Sequence, residues 1–211
     1  MKTIYIVRHG ETIWNLEGRI QGYSDSPLTE TGKEQARVTG LFLKSFGIEE
    51  IHTSDLGRAV HTATIINNSL NVNIIKNDTL REGNYGILEG EKFKDIPVKF
   101  PKVYSKMKDK DLFFVIPGGE SISGYTQRVV SAILSIAKKT EKDKILIVIH
   151  GGLLGKILYH VLGIDFKEER KFSIDNCAIN IFTWSGEKLF LKTWGFAEHL
   201  DSIKITKPID I

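Results

Sequence analysis

Short apolar segments that alternate with amphipathic segments are the strongest constraint on the fold of this chain. Residues 4–8, apolar up to Arg8, and residues 144–149 have the length of strands, and a histidine follows each of them, His9 and His150. Continuous apolar runs of this length are typical of strands buried on both faces of a parallel sheet. Because ligands of such sheets lie at the carboxyl ends of the strands, the pattern predicts a site that contains both histidines.

Apolar residues at helical spacing lie between the predicted strands. Besides 4–8 and 144–149, the sequence predicts strands at 50–53 and 72–76, helices at 29–47, 58–67, 122–138 and 151–162, and a hairpin of 178–184 with 188–194. Strands that alternate with helices predict a mainly parallel sheet with helices on both faces, and the hairpin adds an antiparallel edge. The predicted fold class is α/β, a three-layer α/β/α sandwich.

Residues 78–119 break this alternation. They contain several Gly and Pro residues and only short helical pieces. We expect one domain over residues 1–211, with this stretch as an irregular insertion that covers the active site at one end of the sheet. Tyr104, Lys106, Lys108 and Lys110, within the insertion, could contact the distal part of a substrate, but their pattern favours a solvated charge run.

The charge of the chain argues against a nucleic-acid partner. The 211 residues include 29 Lys and Arg and 26 Asp and Glu, so the formal net charge is only +3. A nucleic-acid groove needs clustered basic residues, whereas a small anion needs only local positive charge. We therefore expect a small anionic metabolite as the partner, and no nucleic acid.

The sequence also favours a cytoplasmic location without a membrane partner. The single cysteine, Cys177, permits no disulfide within the chain and no thiolate metal site. The residues before the first strand are too few for a signal peptide, and no apolar run approaches the roughly 18–20 residues of a membrane span.

The residues around His9 favour nucleophilic attack on a phosphate. His9 lies between Arg8 and Gly10, and a glycine here lets backbone N–H groups approach an anion. A neutral imidazole is available near pH 7 because its unperturbed pKa is about 6.5. One ring nitrogen would have to donate to a backbone carbonyl, which leaves the other nitrogen to attack.

Positive charge for the phosphate can come from Arg8 and from Arg58, which follows the second predicted strand. A guanidinium binds two phosphate oxygens at once and stays charged, so arginines can serve where a metal otherwise would. His150 precedes a predicted helix, and helix N-termini bind anions. We expect a protonated His150 and the Gly151 amide as further ligands, although His150 viewed alone also fits a structural helix cap.

The reaction also needs an acid that protonates the leaving oxygen. Glu82 follows the third predicted strand, where partial desolvation and a nearby phosphate would raise its pKa. Glu89, Glu91 and Glu11 are rivals that the residue types alone do not exclude.

Five short blocks follow one another along the chain. They are residues 8–12 with Asn15 and 22–29, residues 54–59, residues 80–90, residues 118–121 and residues 148–152. In this order they resemble the signature of the histidine phosphatase superfamily, also called phosphoglycerate-mutase-like. Each block alone is a weak signal, but the resemblance extends from residue 4 to His199-Leu200, and five blocks in order are a strong one.

This resemblance implies a phosphoglycerate-mutase-like fold and a ping-pong mechanism through a phosphohistidine, without a metal or other cofactor. It implies His9 as the nucleophile and Glu82 as the proton donor. The phosphate pocket would be formed by Arg8, Arg58 and His150, with Asn15 bonded to the phosphate and with Gln21 and Gly22 at the entrance. The last segment, with His199, would fold back toward the mouth of the pocket.

Three functions remain open from the sequence. The first is a metal-independent phosphomonoester hydrolase, which the modest chain length and the compact segment 86–90 favour. The second is a 2,3-bisphosphoglycerate-dependent phosphoglycerate mutase, and the third is a non-catalytic protein that binds a phosphorylated ligand. The C-terminal hairpin offers an edge strand through which a homodimer could form.

Overall fold

The computed structural model describes residues 1–201 and 203, and its centre is a six-stranded sheet. The strands are β1 (Lys2–Arg8), β2 (Glu50–Ser54), β3 (Asn73–Asn77), β4 (Lys144–Ile149), β5 (Ile179–Trp184) and β6 (Leu189–Phe196). Their order is β3-β2-β4-β1-β5-β6. Pairs among the first four strands are parallel, whereas β5 is antiparallel to both of its neighbours. The predicted mainly parallel sheet with an antiparallel edge is confirmed.

The helices of the described residues follow the predicted alternation. They are α1 (Ile13–Glu17), α2 (Glu30–Leu43), α3 (Gly57–Leu70), α4 (Ile96–Lys99), α5 (Pro101–Lys108), α6 (Ile122–Lys139) and α7 (Gly151–Leu162). Thr29 caps α2 by accepting a hydrogen bond from the Gly32 amide. A 3₁₀ turn follows α2 and ends at Gly47, which has the left-handed conformation common at helix C-termini. The helical segment thus ends where the sequence predicts, at residue 47.

The two faces of the sheet bury different helices. In β4, Ile145, Ile147 and Ile149 pack toward α6 and α7, while Leu146 and Val148 pack toward α2 and α3. Alternate residues of a strand point to opposite faces, so an uninterrupted apolar strand needs a helix layer on each side. The three-layer α/β/α sandwich is therefore confirmed.

The segment 78–119 consists of short helices and 3₁₀ turns, and its apolar side chains form a small cluster together with Ile20 of the loop after α1. The buried members of this cluster are Ile20, Leu88, Ile96, Val103 and Ile116. The backbone of the segment bonds to the loop after α1, where the Gly90 amide donates to the Ile20 carbonyl at 2.8 Å and the Phe93 amide donates to the Gly18 carbonyl at 2.9 Å. These contacts fix the segment against residues 18–22.

Residues 10–27, for which the sequence analysis predicts neither a helix nor a strand, contain the short helix α1. Thr12 and Asn15 form a capping box at its start, and Gly18 ends it in the left-handed conformation. None of its residues is buried, so it lacks the apolar periodicity by which a helix is recognised in a sequence. Within the described part of the chain, no helix has the length and apolar character to span a membrane.

Candidate active site

The pairing of β1 with β4 brings His9 and His150 together. Arg8 lies opposite Ile149 in the parallel register, and the His9 amide donates to the Ile149 carbonyl at 2.9 Å. Each histidine is the first residue beyond its strand, so the two imidazoles emerge side by side. Their ring centroids are 5.3 Å apart, and the ring planes are tilted by 58°.

Backbone contacts fix the ring of His9. Its Nδ1 lies 2.8 Å from the Gly10 carbonyl, which can only accept, so Nδ1 carries the proton and Nε2 keeps its lone pair. Gly10 itself is held closely, because a Cβ at this position would lie 2.4 Å from the Gly32 carbonyl oxygen. Burial, followed by the positive charges of Arg58 and Arg8, lowers the pKa of His9 well below 6.5. The ring is therefore neutral near pH 7, as a nucleophile requires.

Arg58 lies in the first turn of α3, and its side chain is bound by residues of the loop before α2. Its side chain is only 1% exposed. Nη1 donates to the Ser24 carbonyl at 2.9 Å and to the Asp25 carboxylate at 3.0 Å, and Nη2 donates to the Gly22 carbonyl at 2.7 Å. The Asp25 carboxylate also accepts from the Arg58 amide at 3.2 Å. These bonds fix the guanidinium and leave Nε for another partner.

Arg8 supplies a second guanidinium beside the start of α7. Its Nη1 donates to the Ile174 carbonyl at 2.5 Å. A Cβ at Gly151 would lie 3.2 Å from Arg8 Nε, so the absent side chain at Gly151 makes room for the guanidinium. Burial lowers the pKa of Arg8 to about 10, which still leaves it charged at pH 7.

The environment of His150 contradicts the expectation that its imidazole is protonated. The residue is fully buried, and burial, followed by the charge of Arg58, lowers its pKa well below 6.5. His9 and Arg8 lower this pKa further. His150 thus contributes a neutral ring that can donate one hydrogen bond. The sequence could not reveal this lowered pKa, because the pKa of a buried ring depends on how many positive groups surround it in the folded protein.

Buried side-chain atoms without a hydrogen-bond partner are concentrated around the two histidines. Of seven such atoms in the described residues, five belong to this site: Arg8 Nε, Arg58 Nε, Gln21 Oε1 and both ring nitrogens of His150. A buried polar group that stays unpaired costs about 1–3 kcal/mol, so such a concentration marks a polar ligand site. Within the same residues, no three His, Cys, Asp or Glu side chains are grouped so that they could hold a metal ion.

Glu82 faces the start of α7 on the other side of this cluster. Its carboxylate accepts from its neighbour's amide, Gly83 N, at 3.0 Å and from the Gly152 amide at 2.9 Å. Burial raises its pKa, and the two amides together with Arg58 and Arg8 oppose that rise. A carboxyl group in this setting holds a proton at higher pH than an exposed glutamate does.

Two residues that the sequence analysis did not single out hold the backbone of Glu82. Arg128, on α6, donates to the carbonyls of Thr79, Arg81 and Glu82 at 3.0, 2.8 and 3.1 Å. Its guanidinium also pairs with Glu120 at 2.9 Å, and Glu120 accepts from the Asn84 amide at 2.9 Å. The block at 118–121 thereby supports the loop of Glu82. The only signal in the sequence was the presence of Glu120 in a recognised block.

The rival carboxylates have other partners. Glu89 accepts four hydrogen bonds, from the amides of Tyr23, Ser24 and Tyr85 and from the Ser24 hydroxyl, so it ties the insertion to the loop before α2. Glu11 accepts from the Thr29 hydroxyl at 2.7 Å, and Glu91 pairs with Lys99 at 2.5 Å. These contacts are structural, and Glu82 is the carboxylate that faces Arg8 and Arg58.

The predicted substrate-binding residues differ in their surroundings. Gln21 is buried next to Gly22, whose φ is +57° and whose carbonyl holds Arg58. Gly151 begins α7 beside Arg8. The side-chain oxygen of Asn15 accepts from the amide and the hydroxyl of Thr12 in the capping box of α1. Its side-chain nitrogen remains as a donor for a phosphate.

His199, for which the resemblance implies a place near the mouth of the pocket, contacts α2 and β6. Its Nε2 lies 3.0 Å from the Thr39 hydroxyl of α2. Its ring packs against both Phe42 and Phe196, with ring centroids 5.1 and 5.7 Å away, and those two phenyl rings also stack on each other.

Comparison with known proteins finds relatives that are named as phosphatases and as phosphoglycerate mutases. Residues 4–197 match the family model of the histidine phosphatase superfamily (branch 1). A relative from Serratia proteamaculans (strain 568), named probable phosphoglycerate mutase GpmB, is 37% identical over 207 residues, which are 96% of this chain and 96% of the relative.

Two solved structures are similar over nearly the whole chain. Bacillus stearothermophilus YhfR has a TM-score of 0.88 and 30% identity, and the match covers 95% of this chain and 100% of that one. The phosphoserine phosphatase of Entamoeba histolytica, in complex with 3-phosphoglyceric acid, has a TM-score of 0.81 and 27% identity, with 95% and 100% coverage.

The contacts of Asp25 generate a prediction about stability. Replacing it by alanine, Asp25→Ala, removes the carboxylate beside the buried Arg58 guanidinium and leaves that charge with carbonyl partners alone. We expect a loss of about 2–3 kcal/mol in the free energy of unfolding, measured by urea denaturation.

Glu34→Ala is the matched control, because Glu34 pairs with Arg37 at the exposed surface of α2. It should change the unfolding free energy little, since exposed pairs contribute little. Equal effects of the two substitutions would contradict a special role for Asp25 in holding Arg58.

Proposed function

Because the chain belongs to branch 1 of the histidine phosphatase superfamily, we propose that it hydrolyses a small phosphorylated metabolite through a phosphohistidine on His9, without a metal ion. The observation that carries this proposal is the fixed His9 ring. Its Nδ1 is committed to the Gly10 carbonyl, and buried N–H groups of two arginines and a histidine without internal partners surround it.

In the first step, His9 Nε2 attacks the phosphorus of the ester and the bond to the leaving oxygen breaks. Arg8 and Arg58 balance the negative charge of the transferred phosphoryl group, and His150 donates one hydrogen bond to it. Preorganised donors of this kind can supply most of the catalysis of phosphoryl transfer. In this proposal Gln21 and Gly22 line the entrance, and the side-chain nitrogen of Asn15 and the backbone amide of Gly151 are further donors to the phosphate.

Glu82 transfers the proton in both steps. Its raised pKa favours a protonated carboxyl that donates to the leaving oxygen, so the product departs as an alcohol. In the second step the resulting carboxylate accepts a proton from water, which attacks the phosphohistidine and releases phosphate. Both His9 and Glu82 then return to their starting states.

A phosphoglycerate mutase is the second candidate, and the Serratia relative favours it by name. Chain length does not separate the two functions, contrary to the sequence analysis, because this chain and that relative match over 96% of both. The Entamoeba protein favours the hydrolase, because it is named as a phosphatase. The 3-phosphoglyceric acid bound to it shows that binding this compound does not by itself indicate a mutase. The chain is an enzyme of this family, so a non-catalytic binding role is not retained.

The proposed partner is a small phosphorylated metabolite. The homodimer and the cytoplasmic location stay predictions.

The first functional prediction concerns the covalent intermediate. Brief incubation with a phosphorus-labelled substrate in the presence of a chelator, followed by rapid denaturation, should leave label on His9 that is stable to alkali and lost in acid. His9→Ala should lose the label and the turnover. His160→Ala, at an exposed position of α7, should keep both. Label on a serine or an aspartate, or activity that requires a divalent ion, would disprove the mechanism.

The second functional prediction concerns Glu82. Glu82→Gln should lower kcat/KM for alkyl phosphates by about 10²–10⁴, because alkoxide leaving groups need a proton. Aryl phosphates with acidic leaving groups should lose much less. Glu82 must be protonated to act and loses its proton as pH rises through its raised pKa, so wild-type activity should fall on the basic limb and the variant should lack that limb.

Glu91→Gln, which removes a carboxylate that pairs with Lys99, is the control and should leave every leaving group unaffected. If Glu82→Gln slowed all leaving groups equally, Glu82 would hold the structure or the substrate, and the acid would have to be sought elsewhere.

The third functional prediction separates hydrolysis from isomerisation. With 3-phosphoglycerate, the proposed hydrolase should release inorganic phosphate at a steady rate that does not rise when 2,3-bisphosphoglycerate is added. A mutase would interconvert the 2- and 3-isomers, would need the bisphosphate, and would release little phosphate. Both products can be followed in one reaction by phosphorus NMR, and isomerisation faster than hydrolysis would establish the mutase.

A further inference from the structure

Gly10 lies between the two peptide groups that determine how the ring of His9 is held. The first joins His9 to Gly10, and the second joins Gly10 to Glu11 and contains the carbonyl that accepts from His9 Nδ1 at 2.8 Å. A Cβ at Gly10 would lie 2.4 Å from the Gly32 carbonyl oxygen, so this position requires a glycine. Glycine restricts its own backbone less than any other residue, and other groups must therefore fix the two peptides.

The peptide between His9 and Gly10 is held at both ends by side chains from distant segments. The side-chain nitrogen of Asn176 donates to the His9 carbonyl at 2.7 Å, and the Gly10 amide donates to the Thr62 hydroxyl at 3.0 Å. Thr62 lies on α3 and donates to the Arg58 carbonyl at 2.7 Å, which fixes the direction of its hydroxyl. Both Asn176 and Thr62 are buried. This peptide cannot rotate without breaking two buried hydrogen bonds.

The peptide between Gly10 and Glu11 is held by α2. The Glu11 amide donates to the side-chain oxygen of Gln35 at 3.0 Å, and Gln35 is only 1% exposed. The N–H and C=O of a planar trans peptide point in opposite directions, so a bond that fixes the Glu11 amide also fixes the Gly10 carbonyl. Gln35 therefore acts on the ring of His9 through a rigid peptide.

A simpler account is that these side chains only satisfy buried backbone groups, as nearly all such groups in proteins are satisfied. Asn180 fits that account, because its side-chain nitrogen donates to the Ile6 carbonyl within β1 at 3.2 Å. The bonds around Gly10 differ in their position. Three separate segments supply them, all of them fall on the two peptides beside one glycine, and the carbonyl of that glycine holds the reactive ring.

We propose that Gln35, Thr62 and Asn176 are positioning residues for the nucleophile. They fix the two peptides beside Gly10, and through its carbonyl they keep His9 in the tautomer with the proton on Nδ1. In the other tautomer Nε2 carries the proton and has no lone pair with which to attack phosphorus. This inference rests on the proposed function, because the tautomer matters to turnover only if His9 is the nucleophile.

The test combines two substitutions with NMR of the full-length enzyme labelled with nitrogen isotope in its histidines. Thr62→Val keeps the shape of the side chain and removes the hydroxyl, and Gln35→Met removes the acceptor at similar length. Long-range proton–nitrogen spectra distinguish the two tautomers, and the signals of His9 are those that His9→Ala lacks. In wild type we expect only the form with the proton on Nδ1. Each of the two variants should show both forms.

Turnover should follow the tautomer. Thr62→Val and Gln35→Met should each lower kcat by about 10- to 100-fold, because small displacements of a reacting group cost rates of this order. The dissociation constant of inorganic phosphate should change less than about threefold, since Arg8 and Arg58 remain in place. Thr62→Ser keeps the hydroxyl and should restore the single tautomer and most of kcat.

Two control variants remove similar bonds elsewhere. Thr64→Val, on the exposed side of α3, removes a hydroxyl that donates to the Val60 carbonyl at 2.9 Å, and Asn180→Ala removes the buried bond to Ile6. Both should keep the single tautomer of His9, and Thr64→Val should also keep the wild-type kcat.

Two results would overturn the proposal. The first is a single tautomer with the proton on Nδ1 in both Thr62→Val and Gln35→Met, whatever their activity, because the contacts would then serve folding alone. The second is a mixture of tautomers in Asn180→Ala as well, because a general loosening of the core would then account for the effect. If Gln35→Met did not fold, the comparison of Thr62→Val with Thr62→Ser would decide.

The spectra also separate this proposal from the proposed function. If wild type held one tautomer that the two variants mixed, but hydrolysed no phosphomonoester, the positioning role would be established and the hydrolase contradicted. If wild type formed a phosphohistidine and both variants kept its single tautomer and its kcat, the hydrolase would stand and the positioning role would be overturned.

Discussion

The parallel register of β1 with β4 is the constraint on which the site depends. It sets Arg8 opposite Ile149, so the next residue of each strand is a histidine at the same edge of the sheet. A shift by one residue would turn one imidazole toward the opposite face, among the apolar side chains of a helix layer. The uninterrupted apolar residues of β4 oppose such a shift, because both faces of this strand are buried. The same strand register thus determines both the packing of the core and the position of the two histidines.

Positive charge and burial together determine the protonation states of the ionisable groups in the pocket. Arg8 and Arg58 remain charged because a guanidinium keeps its proton even when burial lowers its pKa. Burial, followed by these charges, lowers the pKa of both histidines and keeps them neutral, and burial raises the pKa of Glu82. One environment therefore lowers the pKa of the nucleophile and raises the pKa of the acid. Opposite pKa shifts of this kind allow one site to provide a deprotonated nucleophile and a proton donor at a single pH.

Much of this arrangement could be predicted from the sequence, because strand ends and short blocks are local features. The strands, the long helices and the set His9, His150, Arg58 and Glu82 belong to that part. Asp25 and Arg128 could not be predicted, since each acts through contacts with segments far away in the chain. The neutral state of His150 was also missed, because a pKa depends on every charge around the group. Helix α1 was missed since a helix with no buried residue leaves no periodic pattern.

The contact between Asn84 and Glu120 has a consequence for how such an enzyme can acquire new substrates. The Asn84 amide donates to the Glu120 carboxylate and the Glu120 amide donates to the Asn84 carbonyl, so the chain between them is a loop closed at its neck. Arg128 fastens that neck to α6, and Glu82 lies just outside it. Lengthening a closed loop costs little free energy, because closure entropy grows only slowly with length. Insertions and deletions beyond the neck can therefore reshape the substrate side of the pocket without displacing the acid, and the chemistry and the specificity of this fold can evolve separately.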